Sequence, residues 1–420
     1  MRLYETIVIL FALLIVSIQT AFSQNPDSIP FAPAVNYEMD NEPFSVYCAD
    51  LDGDGDQDLA VSDRGKDVVS IFKNRGDGCF ETKVDYATGR YPHQIFVSDL
   101  DGDGDSDIAV ANRYANTVSI LKNNGDGSFS TKVDYTAWLG PVSLFAIDLD
   151  KDSDQDLAVT NFGSQRISIL KNNGDGTFIY DSDYPTAAYP QSVFASDLDL
   201  DTDYDLVVAN RDYYSIDADS ISVFKNNGDG TFSARVDYPT GSCPLHLFVS
   251  DLDSNNRPDI IVPNCISHTI SVFINNGDGT FASKVDYFAG ASPYAIFAAD
   301  LDGDGDQDVA VGKLNSNAIS IFKNKGDGTL AAKVDYLTGQ NPILLYAADL
   351  DGDGDLDLAI PNHFSKTVSI LENLTQIGPP CSQPIINHLV DKTVTDIVTL
   401  TFQVSTCGGC SGITVLSAEN

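Results

Sequence analysis

Short apolar segments with a period of two recur along this chain, separated by polar turns. One unit shows the pattern. Phe96 leads into an acidic stretch, and Ile108-Ala-Val110 forms a short apolar run. Thr117-Val-Ser-Ile-Leu121 alternates, Asn123-Asn-Gly-Asp-Gly127 is a turn, and Phe129 to Tyr135 is a last extended segment. Alternation over four to eight residues, bounded by Gly, Asn and Asp, predicts β-strands. The Asn-Gly-Asp-Gly turn supplies the positive φ angles that a tight hairpin needs. No segment has helical periodicity. Each unit therefore predicts four strands, named A to D, with the acidic stretch joining A to B.

The unit recurs seven times. Its first loop aspartates are Asp50, Asp99, Asp148, Asp197, Asp251, Asp300 and Asp349, at spacings of 49, 49, 49, 54, 49 and 49 residues. A proline lies seven positions before each of these aspartates, Pro43 to Pro342. An aromatic lies three before: Tyr47, Phe96, Phe145, Phe194, Phe248, Phe297 and Tyr346. Four-stranded units repeated at this period predict an all-β fold, a seven-bladed β-propeller, rather than an open solenoid. The seventh unit has no glycine turn and no strand D after Leu371-Glu-Asn373, while Phe31 to Tyr37 reads as an unattached strand D before the first. That N-terminal strand has the register to complete the last blade and close the ring, which removes an exposed sheet edge. The seven aromatics are expected to ring the centre as core.

The formal charge is −37, and the seven loops hold 33 of the 61 acidic residues. The acidity is therefore local, and it argues against nucleic-acid binding, which needs basic patches. Loop positions 1, 3, 5, 7 and 9 carry Asp50, Asp52, Asp54, Asp56 and Asp58 in the first unit, and Asp99, Asp101, Asp103, Asp105 and Asp107 in the second. The third has Asp148, Asp150, Asp152, Asp154 and Asp156; the fourth has Asp197, Asp199, Asp201, Asp203 and Asp205. The fifth has Asp251, Asp253, Asn255, Arg257 and Asp259. The sixth has Asp300, Asp302, Asp304, Asp306 and Asp308, and the seventh Asp349, Asp351, Asp353, Asp355 and Asp357. Carboxylates at 1, 3 and 5, a backbone carbonyl at 7 and glycine at 6 are the front of an EF-hand-type loop, and calcium takes six to eight oxygens. Position 12 is Val61 rather than glutamate, and strands flank the loop, so this is a calcium loop in a hairpin. The loops at 50, 99, 300 and 349 carry every element. Those at 148, 197 and 251 replace the position-6 glycine with Ser153, Thr202 and Asn256 and are weaker candidates. Four strong sites and up to seven Ca2+ ions are expected, in a structural role. No open metal position with a base suggests hydrolysis.

The strand A aromatic, the D-x-D-G-D-G-x-x-D loop and the Asp-Leu-Ala-Val-type strand after it resemble the FG-GAP/VCBS repeat family, found also in integrin α-subunit heads. The resemblance runs from Phe31 to Asn373. It implies that the loop aspartates bind calcium on one face of a propeller, while ligands tend to meet the other. The segment from about Gly378 resembles the first part of a cadherin-like or Ig-like domain, an incomplete one in 43 residues, where a whole sandwich takes about 100. The domains expected are thus 1–23, 24–377 and 378–420.

Arg2, the apolar run Ile7 to Val16 and Ala21-Phe-Ser23 read as a cleaved secretory signal. The run is short for a membrane span. An exported, extracellular or cell-surface monomer follows as the expectation. Seven cysteines in an exported chain suggest disulfides with one left over. Cys243-x-x-His246 and Cys265-x-x-His268 lie in one unit. A Cys243–Cys265 disulfide is the favoured pairing there, with a zinc site as the alternative. Cys407 and Cys410 can bridge each other, and Cys48 and Cys79 are too far apart to pair.

Strand order puts the D–A and B–C loops on the face away from the aspartates. These loops hold Arg90, Tyr91, His93, Tyr114, Trp138, Tyr189, Tyr213, Tyr214, Tyr294 and Phe364, and a five-residue insertion near Tyr213 to Asp219. Aromatics with polar neighbours suit a glycan or protein partner. The function expected is a calcium-binding interaction or adhesion module. A polysaccharide lyase or hydrolase on a propeller scaffold and an architectural spacer are the alternatives, and neither G-x-S-x-G nor H-E-x-x-H occurs.

Overall fold

A computed structural model describes residues 28–215 and 218–375. The signal-like segment 1–23 and the cadherin-like tail 378–420 lie outside the described residues. Seven antiparallel four-stranded sheets follow one another in chain order. In the first blade, strand A is Pro43–Ala49, B is Asp58–Asp63, C is Val68–Phe72 and D is Val84–Ala87. The fold is a seven-bladed β-propeller.

Ring closure takes the predicted form. Val35–Glu38 pairs antiparallel with Thr367–Leu371, the strand C of the seventh blade, and Phe31 bridges Asn373. Side chains repeat the match. In the first blade the Ser70 hydroxyl donates to Asp85 at 2.6 Å, and in the seventh Ser369 donates to Asn36 at 2.6 Å. Asn36 thus fills the place that an aspartate holds in the other outer strands. Phe31 packs edge-on against Tyr336 at 5.2 Å, as Phe129 packs against Tyr86 at 5.2 Å.

Each interface between adjacent blades holds its own apolar cluster, so the core is a ring of seven clusters rather than one centre. Strand B residues 58–63 are buried throughout, because both faces of an inner strand meet neighbouring blades. The strand A aromatics close a ring of their own. Successive centroid distances run 5.4, 4.8, 4.6, 5.2, 4.7 and 4.9 Å from Tyr47 to Tyr346, and the return step from Tyr346 to Tyr47 is 4.4 Å. They line a central cavity of about 200 Å3.

Two boundaries differ from the reading of the sequence. Strand B begins at the ninth loop residue, with Asp58 paired to Ala49. Strand D of the second blade is Val133–Thr136, shorter than Phe129 to Tyr135, because Phe129 is an isolated bridge to Asn123.

Phe31→Ala removes a side chain only 7% exposed, and we expect a loss of about 3 kcal/mol. Phe129→Ala should cost the same. Equal midpoints for Phe31→Ala and wild type in urea would contradict the closure.

Candidate metal centres on the A–B loops

Each A–B loop opens with an aspartate whose two oxygens organise the turn. Asp50 accepts the N–H of Gly53 at 2.7 Å and of Gly55 at 3.0 Å, and Asp99, Asp300 and Asp349 do the same in their loops. These bonds curl the chain so that later carboxylates face inward. Positions 4 and 6 then sit in the left-handed region, with φ of 77° at Gly53 and 95° at Gly55. The three loops without these glycines keep the same path. Lys151, Ser153, Leu200, Thr202, Ser254 and Asn256 all have φ between 56° and 77°. Non-glycine residues there cost about 1–2 kcal/mol each.

The loops gather acidic oxygens into clusters that can hold a metal ion. Asp50, Asp52 and Asp58 come together, as do Asp99, Asp101 and Asp107, and Asp251, Asp253 and Asp259. In the third and fourth loops the groups are Asp148, Asp150 and Asp152, and Asp197, Asp199 and Asp201. Position 3 carries the sharpest signal. One oxygen of Asp52, Asp101, Asp150, Asp199, Asp253, Asp302 and Asp351 is buried without a hydrogen-bond partner among the described residues. A buried carboxylate oxygen with no donor is unfavourable, and a hard cation is what such an oxygen fits.

Lysines balance part of this charge. Lys73 pairs with Asp52 at 3.0 Å, Lys122 with Asp101 at 3.1 Å, Lys171 with Asp150 at 2.6 Å and Lys225 with Asp199 at 3.1 Å; Lys323 pairs with Asp302. The same position is Ile274 in the fifth blade and Glu372 in the seventh. The seventh loop is the most carboxylate-rich. Burial and the neighbouring Asp353 push Asp355 up to about 8, and burial with Asp351 and Asp353 nearby raises Glu372.

Position 9 has a second role that the sequence did not reveal. Asp58 accepts the N–H of Leu51 at 3.0 Å and of Asn74 at 2.7 Å, so it pins the loop to the C–D turn. Its six counterparts, from Asp107 to Asp357, make the same two bonds. Burial raises these carboxyls against the pull of the two N–H groups: to about 6 for Asp58, about 7 for Asp205 and about 8 for Asp357.

Five position-7 aspartates turn to the C–D hairpin instead, whereas both oxygens of Asp355 are buried without a hydrogen-bond partner among the described residues. A Cβ at Gly76 would stand 2.5 Å from a carboxylate oxygen of Asp56, and one at Gly125 2.6 Å from Asp105, so these turns need glycine. Arg257 points the same way and donates to the Asn276 carbonyl at 3.0 Å; its side chain is no ligand.

A belt of asparagines ties the seven sites together. Asn74 donates to the Leu350 carbonyl of the seventh loop at 2.7 Å, and Asn123 donates to Leu51 of the first at 2.8 Å. Asn172, Asn226, Asn275, Asn324 and Asn373 continue the belt, each to the preceding blade. The sequence carries a signal for this: Asn373 persists where the rest of the turn is missing.

The cysteine expectation needs correction. Cys243 and Cys265 are neighbours, with the Cys265 N–H on the Cys243 carbonyl at 2.9 Å, but both are free thiols. Their mutual hydrogen bond, with burial, raises the Cys243 thiol. The zinc alternative fails on geometry, because His246 lines the central cavity whereas His268 accepts the Ser292 N–H at 3.0 Å. Cys48 is a free buried thiol and Cys79 is disulfide-bonded, so those two do not pair.

On the opposite face, Tyr114, Trp138, Tyr213, Tyr214 and Phe364 are exposed as expected. Tyr294 is not; it packs edge-on to Phe44 at 5.9 Å across the channel mouth.

Two outcomes follow for this face of aspartates. The raised position-9 carboxyls favour the folded state while protonated, so their contribution is present below the ordinary value of 3.8 and is lost as pH rises through 6 to 8. Metal-free protein should therefore melt higher at pH 5 than at pH 8. Thr202 is exposed at φ 76°. Thr202→Gly should raise stability by about 1 kcal/mol, read from urea unfolding.

The FG-GAP-like repeat description matches residues 50–110, 99–159, 148–208, 210–262, 251–311 and 300–360. No curated protein sequence matches the chain. Among solved structures, BBS1N in complex with ARL6DN aligns with a TM-score of 0.58 at 15% identity, over 82% of this chain and 97% of that one. Virginiamycin B lyase from Staphylococcus aureus aligns at 0.57 and 12%, over 82% and 99%. An Agrocybe aegerita lectin that recognises non-reducing terminal N-acetylglucosamine aligns at 0.53 and 20%, over 80% and 87%. These identities support the shared propeller fold alone. With its repeats matched from Asp50 to Ile360 and its seven blades built on them, the chain belongs to the FG-GAP-like repeat family.

Proposed function

We propose that this protein is an exported, calcium-stabilised interaction module that binds a glycan or protein partner on the face opposite the aspartate loops. One observation carries the calcium reading: the same loop position contributes a buried, unpartnered carboxylate oxygen in all seven blades. Calcium is the cation these sites suit, since it accepts many oxygens in flexible geometry, whereas magnesium keeps its waters. The role is structural. Each ion offsets repulsion within one loop, and the asparagine belt passes that order to the next blade.

Binding rather than catalysis suits the other face, where Tyr214 is 88% and Tyr114 55% exposed. Exposed aromatics beside arginines are the residues that dominate binding energy at interfaces. Among the neighbours in fold, one structure is a protein complex and another a lectin.

Calorimetric titration with calcium should find four to seven ions, and melting temperature should fall steeply in EDTA. Glu372→Lys should weaken one site by about tenfold, because ligand charge sets affinity in such loops. An unchanged melt in EDTA would remove the structural role. Glycan and protein arrays probed with wild type and with the double variant Tyr114→Ala, Tyr214→Ala test the binding face. Ligands retained equally by both would move the site elsewhere.

A further inference from the structure

The mouth of the central channel opposite the aspartate loops holds an arginine without a counter-charge. Arg64 follows strand B of the first blade and is only 8% exposed. Its Nε and one terminal nitrogen are buried with no hydrogen-bond partner among the described residues. Its guanidinium lies over the ring of Phe44 and 5.0 Å from the centre of Tyr91. Phe44 plugs the channel, touching His93 of the second blade at 4.2 Å and Tyr294 of the sixth.

The chain carries a net charge of −37, yet no carboxylate pairs with Arg64 among the described residues. The adjacent Asp63 is engaged elsewhere, accepting the N–H groups of Asn41, Glu42, Gly65 and Lys66 at 3.0 to 3.2 Å. Asp67 accepts the Tyr91 N–H at 2.7 Å. Burial brings the Arg64 guanidinium down to about 10 against the pull of the Tyr294 and Tyr91 phenols, and a second cation, Arg113, stands close enough to oppose its charge. Burial and the same two arginines hold His93 neutral, with its Nδ1 buried and unpartnered. A buried guanidinium facing another cation is costly. Its complement is an anion with two oxygens, since the planar fork matches a carboxylate.

We propose that this mouth binds the carboxylate of an acidic sugar, with Arg64 holding the anion and Arg113 assisting. The assignment rests on the reading of this face as the binding face and names the ligand class. The surroundings favour a sugar over a peptide. Backbone groups at the mouth already pair with each other, Arg64 N–H to Glu42 and Arg113 N–H to Tyr91. A peptide main chain therefore finds no open strand edge. What the mouth offers instead is aromatic rings: Tyr91 stacks on Tyr114 at 4.4 Å, and Tyr114 is exposed. A pyranose can contact the edges of these rings, set hydroxyls against the phenols and direct its carboxylate to Arg64.

The test is calorimetry on the full chain in calcium with three probes: a galacturonic acid tetrasaccharide, a neutral galactose tetrasaccharide and a glutamate hexapeptide. The uronate should bind, the neutral sugar at least about tenfold more weakly, and the peptide no better than the neutral sugar. Arg64→Gln should lose about tenfold or more for the uronate alone, and Arg64→Lys less. Melting in calcium reports whether these variants fold. If Arg64 variants do not, Arg113→Gln, at a less buried position, must weaken the uronate. No uronate binding, equal binding by the folded variants, or tighter binding of the peptide would each overturn the assignment. An array ligand lost in the Tyr114, Tyr214 double variant but unaffected by Arg64→Gln would leave the binding-module reading standing while ending this one.

Discussion

Carboxylates held a few ångströms apart repel, and this molecule puts up to five of them into each nine-residue loop at one end of a ring. Everything on that end answers the repulsion. Backbone N–H groups cap the aspartate at position 1, lysines meet the one at position 3 in five blades, and the one at position 9 is buried where it is pushed toward its neutral form. What these devices leave is a bare position-3 oxygen in every loop, joined in the seventh by both oxygens of Asp355. One lysine against up to five carboxylates leaves each loop strongly negative, and a cation at that point would offset what remains.

The same bonds that manage charge also build the ring. Asn123 joins a turn to its own loop through its backbone N–H and to the neighbouring loop through its side chain. Seven such residues make a closed belt, and seven aromatics make a second closed ring around the channel. Each blade interface has its own apolar cluster, so neither ring is redundant with the core. A ring of this kind holds only if its last member meets its first, and Asn36 and Phe31 show the N-terminal strand supplying the contacts of an ordinary outer strand.

The two faces divide the labour through strand direction. Turns of one polarity carry aspartate and glycine; turns of the other carry tyrosine and arginine. The consequence is a strongly acidic protein whose opposite mouth sets two arginines, Arg64 and Arg113, close to each other, with no ion pair to Arg64 among the described residues. Net charge describes the aspartate end and misdescribes the other.

The repeat made the blade count, the strand pattern, the closing strand and the aspartate loops legible in the sequence, because each depends on spacing or alternation. Position 6 in the weaker loops was legible as a departure, though not that Thr202 and Ser153 would hold the glycine conformation. Other features depend on which side chains from distant blades share a space, and no local pattern encodes that. The double duty of Asp58, the reach of Asn74 across 276 residues to Leu350, and the separation of His246 from His268 are of this kind. Arg64 is the clearest case. In the sequence it is one arginine after a strand; only ring closure, which brings Phe44, Tyr91 and Tyr294 of three blades around it, makes it a buried charge.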